Sequence, residues 1–463
     1  MQEDRRFLAS APRHGSRAAG AVSLSGSQAS PVEAWIAAAA LVAIVATGIF
    51  GTVAAGLFIA AAMLLIALRP LTSLRDLLRF WPLLLLPLLA MASTLWSDAP
   101  ERTLRAALQL LLTAIAAIMV CRRLEADRAI LALFAGCVVL AAAALPYVPA
   151  SLAYGTPLVG PFGSKNAMGF SAHLLVALAL AVVVDRDQPR LARLVALVAL
   201  PTGALLLYLS SSAGAAVSMG ITVLIFPALV LLSWLPPRGR LVIFLLLILA
   251  TTVGMIFFND IVAAAADFRQ NVLHKDATLT GRTYLWDYAD HLNRERPWLG
   301  GGYYAFWRQG NLDAEGLWRW GGIASRTGFN FHNAFVEMQV DLGWLGLGLL
   351  VAMCAGITAV GAYRQFTRPT IPMAFFLAFL AVSLSRALTE TNLVAPFSGV
   401  MMLTFATAVY AVAPTTVRRR KHSATAGQPD AGGRRGALPT RPDRSGRQGA
   451  SPARAPARAY NSR

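Results

Sequence analysis

The sequence is short of charge. Only 14% of its 463 residues are Asp, Glu, Lys or Arg, against 56% hydrophobic, whereas soluble domains carry nearer a quarter. That excludes an ordinary soluble protein and indicates a polytopic membrane protein. Acidic residues are scarcer still, 23 against 41 basic, for a formal charge of +18. The basic residues sit mostly in the tails and short loops, which argues against nucleic acid as a partner. Cysteine is nearly absent: Cys121, Cys137 and Cys354 stand alone in or beside apolar runs, without the paired spacing of a disulfide, metal or redox site. No cleavable signal is expected, because residues 1–33 are polar and rich in Arg, Ser and Ala; the first transmembrane helix is expected to serve as the insertion signal. There is no internal repeat of solenoid length.

What the chain has in abundance is apolar runs long enough to cross a bilayer. They divide into about twelve helices near 34–50, 52–68, 78–94, 104–120, 129–146, 167–184, 191–208, 213–235, 241–258, 334–360, 371–388 and 393–413, the first pair separated only by Gly51. With the N-terminus inside, the short inner loops hold thirteen arginines (Arg69, Arg75, Arg79; Arg122, Arg123, Arg128; Arg186, Arg190, Arg193; Arg238, Arg240; Arg364, Arg368). The short outer connections hold three basic residues, Arg102, Lys165 and Arg386. That asymmetry sets the orientation, and an even helix count returns the C-terminal tail to the cytoplasm. The tail carries Arg418, Arg419, Arg420, Lys421 and eight further arginines against Asp430 and Asp443, a composition suited to anionic lipid.

The expected organisation is an all-α fold. A disordered cytoplasmic tail (1–33) is followed by helices 1–9 (34–258), a large periplasmic loop (259–333), helices 10–12 (334–413) and a disordered basic cytoplasmic tail (414–463). The loop is too aromatic for disorder. It holds Trp286, Trp298, Trp307, Trp318 and Trp320, half of the ten tryptophans, with Tyr284, Tyr288, Tyr303, Tyr304 and Phe306. We read it as a folded extramembrane cap.

Several residues there suit chemistry, each beside a plainer reading. Arg282 follows Gly281 among aromatics, and either grips a phosphate through paired donors or forms a salt bridge to Asp276 or Asp287. Gly300-Gly301-Gly302 is either an anion-binding nest or a tight turn. His332 ends the loop where helix 10 begins, with Asn333 placed as its N-cap; it is either a general base or a satisfied structural histidine. His173, inside helix 6, invites the structural reading more strongly. Glu337 and Asp341 do not share a tight face with His332 and are expected as outward-facing helix-start charges. Lys165 and Asn166, after Gly160-Pro161-Phe162-Gly163, put a cation at the mouth of helix 6, to bind phosphate or to snorkel. The tryptophans suit either a membrane interface or stacking on sugar rings.

These residues resemble the O-antigen ligase and polysaccharide polymerase superfamily of membrane glycosyltransferases, especially its exopolysaccharide-polymerase branch. Asp276-Ala277-Thr278-Leu279-Thr280-Gly281-Arg282 with Trp286, then Pro297-x-Leu299-Gly300-x-Gly302-Tyr303 with Phe306-Trp307, is similar to the central loop of that branch. His332-Asn333 with Glu337 and Leu342-Gly343-x-x-Gly346 resembles a second signature. Trp96-Ser97-Asp98-x-Pro100 and Gly160-x-Phe162-x-x-Lys165-Asn166-x-x-Gly169 resemble upstream motifs, and Glu390 after Arg386 resembles a family acidic position. The resemblance spans about residues 35–412. One departure stands out: Ser210-Ser211-Ser212 is followed by Ala213, where relatives usually have a basic residue, so Lys165 or Arg386 would have to substitute.

The resemblance implies transfer of a glycan from an undecaprenyl-diphosphate carrier to an acceptor glycan hydroxyl, at the periplasmic face of the bacterial inner membrane. It implies neither metal nor other cofactor, in agreement with the lack of Asp-x-Asp or His-Glu-x-x-His in the loop. His332 would take the hydroxyl proton and Arg282 would hold the diphosphate, with Lys165, Asn166, Arg386, Glu390, Trp286 and Asn333 binding substrate. Membrane lipids, a flippase and chain-length regulators are the partners expected around it. The rivals are a ligase moving finished glycan onto lipid A core or protein, and, from another class, a transporter. A transporter would place charge or broken helices near the midplane, where these runs are almost free of charge.

Overall fold

Long apolar runs can satisfy their backbone groups in a bilayer only as helices or closed barrels. In the computed structural model, which describes residues 29–243, 245–246 and 281–412, helix is the only regular structure among the described residues. Seven of these helices are long and apolar enough to span a membrane, so the chain is an all-α polytopic membrane protein. Residues 1–28, most of the ninth expected helix, loop residues 259–280 and the tail at 414–463 lie outside the described residues.

Helix α1 (Pro31–Leu68) opens on a capping box: Ser30 Oγ accepts from Glu33 N at 3.2 Å, and the Glu33 carboxylate accepts from Ser30 N at 2.7 Å. Its 38 residues are not one rod. Gly51 leaves helical angles (φ 49°, ψ −121°), and Arg69, just past the end, pairs with Glu33 at 2.8 Å. A continuous helix of that length would hold the two roughly 50 Å apart. The chain therefore turns back at Gly51, and the expected helices 34–50 and 52–68 form an antiparallel hairpin.

The inner loop expected after residue 68 is itself helical. α2 (Pro70–Arg79) meets the next apolar stretch, Trp81–Leu95, which contains α3 (Leu85–Ala92), at 81°. Leu71, Leu74 and Leu78 are exposed on α2, whereas Ser73 and Asp76 are buried. Asp76 takes Arg122 at 2.9 Å and Arg123 at 2.6 Å from the end of α4 (Pro100–Arg123), and Arg123 reaches Glu33 at 3.5 Å. These ion pairs lock the hairpin, α2 and α4 together at one end. Removing one partner of such a buried pair costs about 3–5 kcal/mol.

The bundle continues through α5 (Ala126–Ala144), the short α6 (Val148–Tyr154), α7 (Lys165–Val184), α8 (Arg190–Ser210) and α9 (Ala213–Leu231), with α8 and α9 packed on α7. The described chain resumes at Gly281 with α10 (Arg282–Glu295), α11 (Leu312–Trp320), α12 (Ala334–Thr367), α13 (Ile371–Ala387) and α14 (Gly399–Val412). α14 is buried from Val400 to Ala411 against α4, α12 and α13, as an all-apolar helix at the middle of a bundle should be. Helix starts at 399 rather than near 393, beyond Pro396.

The described part of the long loop, 281–333, is folded, with a small core of its own: Leu285, Trp307, Leu317, Trp318 and Phe331 close on Val340 of α12. What seats this cap is a break in α12. Gly343 adopts φ 64°, ψ −161°, which exposes backbone groups that the loop then satisfies. Gly301 N donates to Val340 O at 3.0 Å and Gly302 N to Asp341 O at 2.9 Å, while Trp344 N donates to Pro297 O at 2.8 Å. A Cβ at Gly300 would stand 2.5 Å from the Asp341 carbonyl carbon, and one at Gly343 would stand 2.3 Å from that of Trp298. The three glycines at 300–302 are thus neither a nest nor a plain turn: they let one backbone lie directly on another.

Candidate active site

The upstream Trp96-Ser97-Asp98 motif clamps the same loop from the other side. Trp96 Nε1 donates to Leu299 O at 2.9 Å, Arg296 Nη1 meets Asp98 Oδ1 at 2.7 Å, and Asp98 N donates to Gly301 O at 3.0 Å. Arg102 Nε donates to Tyr304 O at 2.9 Å. With Tyr303 OH donating to Val394 O at 2.6 Å, the loop is held from both sides.

On this base His332 is held by its neighbours. Trp286 Nε1 donates to Phe331 O at 2.8 Å, and Phe331 N donates to Glu337 Oε2 at 2.9 Å. His332 N donates to Asn330 Oδ1 at 2.8 Å. Asn333 is the N-cap of α12, its Oδ1 accepting from Phe335 N at 2.9 Å and Val336 N at 3.3 Å. His332 itself sits at φ 52°, a left-handed backbone costing about 1–3 kcal/mol that persists only where surroundings impose it. Its ring stands edge-on to Phe329 at 5.6 Å, and Nδ1 is buried without a hydrogen-bond partner. Burial, and then the positive charge of Arg282, hold the imidazole below the usual histidine range. The result is a half-buried imidazole that favours its neutral form, held as its surroundings dictate.

One expectation needs correction here. Glu337 and Asp341 do not face outward: they are 6% and 2% exposed. The broken helix and the overlying loop enclose both, and their carboxylates accept from Phe331 N and Tyr304 N, the latter at 3.0 Å. Of the residues expected to bind substrate, Trp286 donates through Nε1 to the backbone just before His332 and Asn333 caps α12 through Oδ1 just after it.

The remaining expected site residues meet at the ends of α7, α9 and α13. Ser212 Oγ donates to Asn166 Oδ1 at 3.0 Å, joining the Lys165-Asn166 turn to the serine turn before Ala213. Lys165 is exposed. Arg386 lies with its guanidinium 4.7 Å from the Phe170 ring centroid, and Nη1 would be 3.5 Å from a Cβ placed on Gly214. Glu390 follows closely enough to act on that charge. Arg386, one of the two cations that could stand in for the basic residue missing at 213, thus has its guanidinium beside the first turn of α9. His173 is buried in the core, Nε2 lying 2.8 Å from Thr222 Oγ1 and Nδ1 without a partner. Among the described residues no three His, Cys, Asp or Glu side chains gather as metal ligands would.

Beside His332 lies a cavity of about 550 Å³ whose walls include Trp307 and Trp318, named in the sequence among the aromatics of the loop, and Arg308, Phe329 and Asn330, which the sequence did not single out. Only the tryptophan density of the loop hinted at it. Phe329 and Asn330 touch both this cavity and His332.

Comparison with known proteins identifies the family. Residues 194–351 match the family model Wzy_C, described as O-Antigen ligase. The chain is also 32% identical over 343 residues, 71% of its own length and 75% of the relative's, to the exopolysaccharide production protein ExoQ of Rhizobium meliloti (strain 1021). By these matches the chain belongs to the O-antigen ligase and polysaccharide polymerase superfamily, exopolysaccharide branch, and is a membrane enzyme of glycosyltransferase type.

Proposed function

We propose that this enzyme polymerises repeat units carried on undecaprenyl diphosphate, at the periplasmic face of the inner membrane, without a metal ion and with inversion at the anomeric centre. The observation that supports this most is His332 held half-buried in a left-handed backbone by its neighbours, with the charge of Arg282 favouring its neutral form. His332 accepts the proton of an acceptor sugar hydroxyl as that oxygen attacks the anomeric carbon. Arg282 binds the diphosphate and stabilises the charge that grows on it as the bond to carbon breaks. Arg386, over Phe170 and beside Gly214, supplies the second cation. Attack opposite the leaving group accounts for inversion. The name of the ExoQ relative, an exopolysaccharide production protein, favours polymerisation.

The description of the matching family model, O-Antigen ligase, favours a second reading, in which the same donor delivers its glycan to lipid A core or protein. The two reactions share the diphosphate chemistry and differ in acceptor. Deleting the gene and sizing the glycans separates them. Loss of long chains with single repeat units remaining is the polymerase result. Long chains retained on the lipid carrier would make it a ligase.

A further inference from the structure

The cavity beside His332 is lined by groups that want electron-rich oxygen. Trp307 is 8% and Trp318 2% exposed, yet neither indole N–H has a hydrogen-bond partner; that of Trp307 lies near the Glu337 carboxylate without hydrogen-bond geometry. Arg308 Nε is likewise buried without a partner. All three belong to side chains on the walls of the same cavity. A buried donor left unsatisfied costs about 1–3 kcal/mol, and such groups in a cavity wall call for an explanation.

Charge narrows the ligand. Arg102, Arg308 and Arg326 line the cavity with one carboxylate, Glu337. Arg326 shares its charge with Glu315 at 3.2 Å, and among the described residues Arg102 and Arg308 form no ion pair. Phe329, only partly buried, offers an apolar surface to the C–H face of a pyranose ring, and a volume near 550 Å³ is in the usual range of small-molecule sites, about 300–1000 Å³. Arg282 and Arg386, the cations assigned to the diphosphate, are not among its lining residues.

We propose that this cavity, lined by three arginines against one carboxylate, is an acceptor subsite for a sugar residue that carries a carboxylate, held by Arg308 with Arg326 or Arg102 and packed against Phe329. The proposal rests on the reading of the enzyme as one that takes a glycan acceptor beside His332. Phe329 and Asn330 form the wall between this sugar and the base, so a carboxylated residue bound here sets which hydroxyl of the glycan reaches His332.

The test is saturation-transfer NMR titration of the purified full-length protein in nanodiscs with methyl β-glucuronide, methyl β-glucoside and inorganic pyrophosphate. The glucuronide should bind about tenfold more tightly than the glucoside, the worth of a charge-assisted contact. Arg308→Gln should remove that preference while leaving the weak glucoside signal. Arg326→Gln, a second variant in case the first does not fold, should reduce it. His332→Ala, unable to transfer, should keep the preference, and a wild-type protein that shows the preference but no transfer would sink the reaction assigned above and leave this subsite supported. Equal binding of the two glycosides would overturn the proposal. So would displacement of the glucuronide by pyrophosphate at comparable concentration, which would make the cavity a second diphosphate site.

Discussion

Arg282 acts on His332 across the start of α10: after burial, its charge is the second cause holding the imidazole neutral below the usual histidine range. A general base works in its neutral form. Transfer should therefore stay level as pH falls through about 6.5 and decline only below it. Arg282→Gln removes one cause and leaves burial, so the inflection in residual activity should move up without reaching the ordinary value. A pH–rate profile of the two proteins checks this. A wild-type inflection at or above about 6.5 would mean that His332 is not the titrating base.

The same arginine is expected to resist conservative change. Arg282→Lys should be nearly as damaging as Arg282→Ala, because a point-like ammonium cannot reproduce a planar two-pronged grip on phosphate. Losing one such contact should cost roughly 2–4 kcal/mol of transition-state stabilisation, or about 30- to 1000-fold in rate. Normal turnover by the lysine variant, at equal membrane abundance, would reduce Arg282 to a general positive charge.

The docking of the cap on α12 predicts a contrast between two glycines of one helix. Gly343→Ala must place a Cβ 2.3 Å from the Trp298 carbonyl carbon at φ 64°, adding backbone strain of about 1–3 kcal/mol to overpacking of about 1–3 kcal/mol. Gly348, with nothing within 4 Å of its Cβ position, lies in the regular part of the helix, and Gly348→Ala should be neutral or stabilising by up to about 1 kcal/mol. Thermal unfolding of both variants in detergent measures the difference. Equal melting temperatures would mean that the loop does not rest on the break.

That contrast also shows what was readable in the residues alone. Local signals were legible: the turn at Gly51, Asn333 as an N-cap, most helix positions and the aromatic weight of the cap. Contacts made only when distant segments meet were not. Nothing in the string Gly300-Gly301-Gly302 says that it lies on Val340 and Asp341, and without that contact Glu337 and Asp341 read as exposed charges. For the same reason Arg386 could not be chosen over Lys165. Phe170, under its guanidinium, and Gly214, beside it, come from α7 and α9.

For the cation opposite Ala213, Arg386→Gln should impair donor use at least tenfold, and Lys165→Ala, at an exposed position, should have the smaller effect. Ala213→Arg should restore part of the loss in Arg386→Gln. Polymer formation from lipid-linked repeat units by the single and double variants reads this out. A reversed order, with Lys165→Ala the worse, would make Lys165 the compensating cation.

The central claim is that His332 drives glycan transfer between lipid-linked repeat units. Its most direct test gives the purified full chain undecaprenyl-diphosphate-linked repeat units in liposomes, with divalent ions chelated, and follows product length on a gel. The account predicts a ladder of polymers with release of undecaprenyl diphosphate, lost in His332→Ala at unchanged folding. Unconsumed donor, a ladder that survives His332→Ala, or product formed only when lipid A core is supplied would contradict it.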